Sequence, residues 1–109
     1  MYSVQKLTVK KRSTIKSGAV VEIEVNESVS VPEGSYGMFY IRKKFAIQGV
    51  LQCCYSPFPS GYVGLPTVVV KNDSLVDLEL LTDEEVGELW VFEAHIKNIG
   101  KVIGDVYVT

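Results

Sequence analysis

At 109 residues, the chain is long enough for one folded domain with a single modest core, spanning residues 1–109. Hydrophobic residues make up 47% of the chain and charged residues 22%, with Val, Ile, Tyr and Phe prominent, a usage typical of a soluble β-rich domain. The net charge is −2, no apolar run approaches the ~20 residues of a membrane helix, and no signal-peptide pattern is present. We therefore predict a cytoplasmic protein without membrane association.

Short alternating segments separated by Gly, Pro and Asn turns predict an all-β fold. The clearest alternation places Val21, Ile23 and Val25 on one strand face and Glu22 and Glu24 on the other. Regularly spaced short strands of this kind are typical of a sandwich or barrel, and we expect no helix longer than about two turns. Strands are predicted at residues 4–9, 19–25, 28–31, 36–41, 49–55, 66–70, 75–80, 88–96 and 102–108.

The predicted connections follow turn chemistry. Lys43 and Lys44 form the turn between two aromatic-rich strands, and the two prolines and the glycine of residues 57–61 make a compact loop. Asn72 begins a hairpin-like turn. Residues 82–85 have the capping pattern of at most one helical turn, because Gly87 and a β-rich run follow.

The cysteine and histidine content argues against a metal site or other cofactor. Cys53 and Cys54 are adjacent, and neighbours in a strand point to opposite faces, so a disulfide between them would distort the backbone. We expect one buried and one half-buried thiol in a reducing compartment. His95 is the only histidine, which leaves too few ligands for zinc.

The charges are distributed unevenly. Residues 1–16 carry five basic side chains and no acid, whereas residues 73–93 carry eight acids and no base. A basic arm can bind nucleic acid, but these residues lie in a strand pattern without interleaved aromatics, so a solvated face is favoured. Contact between the two charged regions of neighbouring subunits remains an alternative. The residues of a nucleic-acid site would be Lys6, Lys10, Lys11 and Arg12.

The most informative segments are residues 42–50, RKKFAIQGV, and residues 60–64, SGYVG. VPEGSYG precedes them at residues 31–37, and EEVGELWVF follows at residues 84–92. In this order and spacing the segments resemble the motifs of the dUTPase and dCTP deaminase superfamily. The resemblance implies a jelly-roll or distorted β-barrel of short strands, assembled as a homotrimer.

The resemblance also indicates which residues would bind a nucleotide. Arg42 retains the planar fork that suits a phosphate, while Lys43 and Lys44 replace two family serines with mobile point charges. Gly61 and Tyr62 match the turn whose aromatic ring packs against deoxyribose in dUTPases. The alternatives are a salt bridge or trimer contact for Arg42, a solvated surface turn for the two lysines, and ordinary packing for Tyr62.

The acids that the family uses for catalysis are missing from the corresponding positions. Pro59 stands where dUTPases carry the water-activating aspartate, and proline offers no side-chain proton acceptor. Val63 stands where dCTP deaminases carry a glutamate. The sequence therefore favours a protein without this catalysis. The alternative is a divergent dUTP or dCTP hydrolase or deaminase whose carboxylate comes from Asp73 or Glu33.

The resulting functional prediction is a catalytically inactive, dUTPase-like homotrimer that acts by binding or as a structural or assembly component. A nucleotide or a protein would bind at the subunit interface, and nucleic acid is not the expected partner. The superfamily is frequently carried by viruses and phages, so the resemblance implies viral or phage origin and a place in the host cytoplasm or the virion. The aromatic residues Tyr36, Tyr40, Tyr55 and Trp90 fit either a subunit interface or an ordinary core.

Overall fold

The computed structural model describes residues 2–53 and 57–93, and the regular structure of these ranges is almost entirely β. The one helix in them is a five-residue segment, α1 (Lys43–Ile47). The strands are β1 (Tyr2–Thr8), β2 (Ser13–Ile15), β3 (Val20–Glu24), β4 (Val29–Ser30), β5 (Ser35–Ile41), β6 (Val50–Gln52), β7 (Val63–Gly64), β8 (Thr67–Asn72), β9 (Leu78–Leu80) and β10 (Glu85–Glu93).

The strands pair antiparallel in small sheets. In one sheet, β10 lies between β1 and β5, and in another, β8 lies between β3 and β6. Two strand pairs, β2 with β9 and β4 with β7, complete the pairing in the described ranges. Because β10 pairs with β1 on one side and with β5 on the other, its acidic residues lie beside the N-terminal strand that carries Lys6.

The core is built from one face of each sheet. On β3, Ile23 is buried while Glu22 and Glu24 are exposed, which confirms the predicted alternation. On β10, Leu89 is fully buried, and so is Leu7 on the neighbouring β1. Burying each such side chain contributes about 1.5–3 kcal/mol, so the inward faces of these strands are the main source of stability.

Several predicted elements differ from the structure. The segment with Lys43 and Lys44 is a single helical turn rather than a simple turn, because Phe45 points into the core and the N–H of Ala46 closes back on the Arg42 carbonyl at 3.2 Å. Residues 82–84 form a turn without helix, within the predicted limit of one helical turn, and Asp83 adopts a φ of 65° there.

Strand lengths also differ. Strand β9 begins at Leu78 rather than at residue 75, because Leu75 is 97% exposed and has no core to pack against. Strand β10 begins earlier than predicted, at Glu85. The short strands β2 and β7 were not predicted, because two or three residues are too few for a visible alternation.

The thiol prediction needs one correction. Cys53 is exposed rather than buried, because it continues the alternation of β6, in which Val50 and Gln52 point inward and Leu51 points outward. The predictions for Cys54, Tyr55, His95 and the strand at residues 102–108 lie outside the described residues. In the part of the chain that the structure describes, no helix is long and apolar enough to cross a bilayer.

Candidate functional site

The first predicted binding turn is fixed to the sheet by its backbone. Arg42 precedes α1 in an extended conformation, and its carbonyl accepts the N–H of Phe45 at 3.0 Å. The N–H of Arg42 donates to the carbonyl of Val86 on β10 at 2.8 Å. Phe45 is buried and anchors the turn to the core, so the neighbouring Lys43 and Lys44 are presented at the surface.

The cations of this turn lie beside carboxylates of β10 and the residue before it. Lys44 Nζ lies 2.7 Å from Glu84 Oε2, and Arg42 Nε lies 4.0 Å from Glu85 Oε2. The other oxygen of Glu85 lies 3.6 Å from Lys6 Nζ on β1. This contact between Arg42 and Glu85 corresponds to the alternative prediction of a salt bridge at the turn. The two atoms are 4.0 Å apart, and the Arg42 side chain is 41% exposed.

Glu84 is the most strongly held of these carboxylates. Its side chain is only 12% exposed, and Oε1 accepts the N–H of Leu81 at 3.2 Å. Burial on its own would raise the pKa of Glu84, but the hydrogen bonds from Lys44 and Leu81 and the charges of Lys44 and Arg42 outweigh it. The pKa of Glu84 is therefore lower than its ordinary value, and the carboxylate is ionised at neutral pH.

The second predicted binding turn presents Tyr62. The N–H of Tyr62 donates to the Pro59 carbonyl at 3.1 Å, and the Tyr62 carbonyl accepts the N–H of Val31 at 2.8 Å. Gly61 has a φ of 82°, a conformation that glycine adopts without steric penalty. The Tyr62 ring meets Phe58 edge-on at 5.0 Å and packs partly against the core, so packing accounts for part of its position.

Glu33 lies at this second turn. The hydroxyl of Ser60 donates to Glu33 Oε2 at 3.1 Å and accepts the N–H of Gly34 at 2.9 Å. A Cβ atom added to Gly61 would lie 2.8 Å from Glu33 Oε1. The sequence named Glu33 as an alternative carboxylate, and the structure places it against the turn that carries Tyr62.

Asp73, the other alternative carboxylate, lies elsewhere. Its N–H donates to the carbonyl of Gly49 at 2.8 Å, and its Oδ1 lies 3.7 Å from Lys71 Nζ. It is therefore close to the end of α1 rather than to Tyr62.

The two predicted turns are separate assemblies within one chain. No hydrogen bond or ion pair joins the Arg42 turn to the Tyr62 turn among residues 2–53 and 57–93. The roles assigned to Arg42, Lys43, Lys44, Gly61 and Tyr62 remain predictions. Within the same ranges, no group of three or more His, Cys, Asp or Glu side chains is placed to hold a metal ion.

The basic N-terminal region pairs with acids of the same chain. Arg12 contacts Glu79 through two guanidinium nitrogens, with Nε 2.6 Å from Oε1, because β2 pairs with β9. Lys10 Nζ lies 4.0 Å from Glu24 Oε2. The charge asymmetry of the sequence is therefore partly neutralised by strand pairing, and contact with a second subunit is not needed to explain it.

Sequence reasoning missed two parts of this arrangement. It treated Glu84 and Glu85 only as parts of a motif, and it treated Ser60 only as a turn residue. Each of these residues acts through a partner more than twenty positions away. The charge clusters at residues 1–16 and 73–93 do not predict these contacts, because Lys44, Ser60 and Glu33 lie outside both clusters.

Comparison with known proteins supports the fold at low identity. No family model matches the chain, and no curated protein matches it. Native EIAV dUTPase is 19% identical, with a TM-score of 0.72 over 87% of this chain and 90% of that one. The dUTPase of Staphylococcus bacteriophage 80alpha is 13% identical, with a TM-score of 0.73 over 87% of this chain and 91% of that one.

A mutant of the dUTPase from phage phi11 of S. aureus is 11% identical, with a TM-score of 0.73 over 87% of this chain and 92% of that one, and it coordinates a structural Mg(II) ion. The chain described here therefore has an all-β, dUTPase-like fold. This finding confirms the fold class and the structural resemblance that its motifs predicted.

Proposed function

We propose that this protein is a catalytically inactive, dUTPase-like homotrimer that acts by binding or as an assembly component, encoded by a virus or phage. The observation that carries the proposal is Pro59. Its carbonyl helps to form the turn that presents Tyr62, and its ring has no group that can accept a proton from water. Val63, at the position of the deaminase acid, is an apolar side chain that is 72% exposed.

A binding role for the dUTPase fold has support among the structural neighbours. The phage 80alpha dUTPase controls the transfer of virulence genes by a proto-oncogenic G protein-like mechanism. At least one protein with this fold therefore controls gene transfer, which is a role other than nucleotide hydrolysis. For this chain we propose a nucleotide or a protein as the partner, bound where the Arg42 and Tyr62 turns of different subunits meet.

The trimer is supported by the outward face of the β1–β10–β5 sheet. Tyr36 and Tyr40 on β5 are 38% and 45% exposed, and the register places them opposite Phe92 and Glu88 of β10. A shallow depression of about 310 Å³ lies on this face, lined by Tyr40, Glu88, Trp90 and Phe92. Aromatic side chains are enriched in subunit interfaces because each buries a large area with few rotatable bonds.

The chemistry of this face favours a second copy of the chain as its occupant. The register aligns Lys6 of β1 with Glu88 of β10, so this face carries one cation and one anion. Around a three-fold axis the cation of one copy can lie beside the anion of the next copy, whereas nucleic acid would require a predominantly positive face.

A second candidate function is favoured by the position of Glu33. Its carboxylate lies against Gly61 in the turn that presents Tyr62, where a substrate sugar would stack by analogy with dUTPases. A divergent hydrolase or deaminase of dUTP or dCTP would use Glu33 as its general base. Asp73 is the weaker choice, since it pairs with Lys71 beside the end of α1.

One assay separates the two candidates. The purified full chain is incubated with dUTP or dCTP and Mg²⁺, and pyrophosphate and ammonia are measured over time. The proposed inactive protein shows no turnover above the buffer control. Turnover that is lost in Glu33→Gln and retained in the control variant Asp73→Asn would instead establish the enzyme.

A further inference from the structure

Two of the three cations of the Arg42 turn, Arg42 and Lys44, have anionic partners inside the chain. Lys44 Nζ donates to Glu84 Oε2 at 2.7 Å and lies 5.5 Å from the centre of the Phe45 ring, so its position is defined from two sides. Arg42 faces Glu85 at 4.0 Å. A carboxylate oxygen and a phosphate oxygen use the same donors on these side chains.

The Glu84 side chain is restrained by burial and by two hydrogen bonds. It is 12% exposed, and both carboxylate oxygens accept hydrogen bonds, one from Lys44 and one from the N–H of Leu81. Glu85 is 25% exposed and lies between two cations, Lys6 and Arg42. These two acids therefore present fixed negative charge at the place where the turn would receive a phosphate chain.

We infer that Glu84 and Glu85 act as internal anions that suppress polyphosphate binding at the Arg42 turn. The inference rests on the proposed function, in which this turn is part of a ligand site. A triphosphate must break the Lys44–Glu84 contact and then lies close to two carboxylates. A ligand with a single phosphate or with none avoids most of this repulsion and is the class that the site accepts.

The test compares charge-neutral variants of the same shape. Binding of inorganic tripolyphosphate is measured by calorimetry at low salt for the wild type, Glu84→Gln, Glu85→Gln and the double variant. We expect each single variant to bind several-fold more tightly and the double variant about tenfold more tightly, since two solvent-screened repulsive contacts together correspond to about one decade in affinity. Adding Lys44→Ala to the double variant should reverse most of the gain.

Glu79→Gln is the matched control for each single variant, because Glu79 pairs with Arg12 on another sheet and its replacement removes the same single negative charge. Equal affinity in the wild type and a folded double variant overturns the inference, and so does an equal gain in Glu79→Gln. If circular dichroism shows that Glu84→Gln is unfolded, Glu85→Gln alone tests the inference, and its affinity for tripolyphosphate should be several-fold higher than that of the wild type. Turnover of dUTP in the separate assay would contradict the proposed function, whereas the calorimetric comparison of the variants tests only the repulsion by Glu84 and Glu85.

Discussion

Lys44 Nζ lies 2.7 Å from Glu84 Oε2, although forty positions separate the two residues in the sequence. The contact joins the helical turn α1 to the turn that precedes β10. It makes one of the two predicted phosphate-binding lysines half of an ion pair in which Glu84 is largely buried and Lys44 is about half exposed. The same carboxylate is thus relevant both to the stability of the fold and to the binding properties of the turn.

We expect this ion pair to make stability depend on acid pH. The pKa of Glu84 is below its ordinary value of 4.5, so the native state binds fewer protons than the unfolded state in that range. The stabilisation is complete above the ordinary value and is lost as the pH falls through the folded pKa. Urea unfolding at pH 7 and pH 3 should show that the difference in the free energy of unfolding between the wild type and Glu84→Gln is smaller at pH 3.

The Lys44→Ala variant is the control for that measurement. Without the ammonium group, replacing Glu84 by Gln should cost less free energy of unfolding at pH 7. If the wild type exceeds Glu84→Gln in stability by the same amount at pH 7 and pH 3, the prediction is contradicted.

Gly87→Ala should be strongly destabilising. A Cβ atom at this position would lie 2.4 Å from Phe39 Cζ and 2.4 Å from the carbonyl oxygen of Tyr40, and the backbone carbonyl cannot rotate away. Overpacking of this kind costs about 1–3 kcal/mol or more. The measurement is the free energy of unfolding in urea.

Gly37→Ala is the matched control, since it lies on the neighbouring strand β5 and its Cβ would meet its closest atoms at 3.3 Å. We expect a smaller loss of stability there. A loss at Gly37 equal to that at Gly87 would contradict the packing argument.

Tyr40→Lys should disrupt self-association. Light scattering of the wild type is expected to give about three times the 12.1 kDa chain mass. Even with Glu88 opposite it, a lysine at this position would have to lose water on association and would lack the aromatic surface of Tyr40, so association should weaken at least about tenfold. Leu75→Lys is the control: Leu75 is 97% exposed and lies in a loop away from this face, so its substitution should leave the measured mass unchanged. A wild type of single-chain mass would refute the trimer.

Arg42→Ala and Tyr62→Ala should each reduce the response to deoxynucleoside ligands. A ligand that binds the native state raises the melting temperature by mass action, so thermal-shift curves report binding directly. Deoxyuridine and its monophosphate are the appropriate probes if polyphosphates are repelled. Arg12→Ala, whose partner Glu79 lies away from both turns, is the control. An unchanged response in both site variants would remove the predicted nucleotide site.

The sequence by itself determined the fold class. The alternation around Ile23 and the turn residues near Gly34 and Gly61 express local backbone preferences that predict an all-β chain. The order of the motif segments added the resemblance to dUTPases, and the absence of a catalytic acid at Pro59 is a prediction that follows from that resemblance.

Only the tertiary structure decided which charges meet. Glu84 reaches Lys44, Arg12 reaches Glu79 and Glu33 reaches the hydroxyl of Ser60 because the pairing of strands distant in sequence brings together the turns and strand ends that carry these residues. Electrostatic contacts depend on distances of a few ångströms, which side-chain spacing along the chain does not specify. The ion pairs of the candidate site therefore could be identified only from the folded structure.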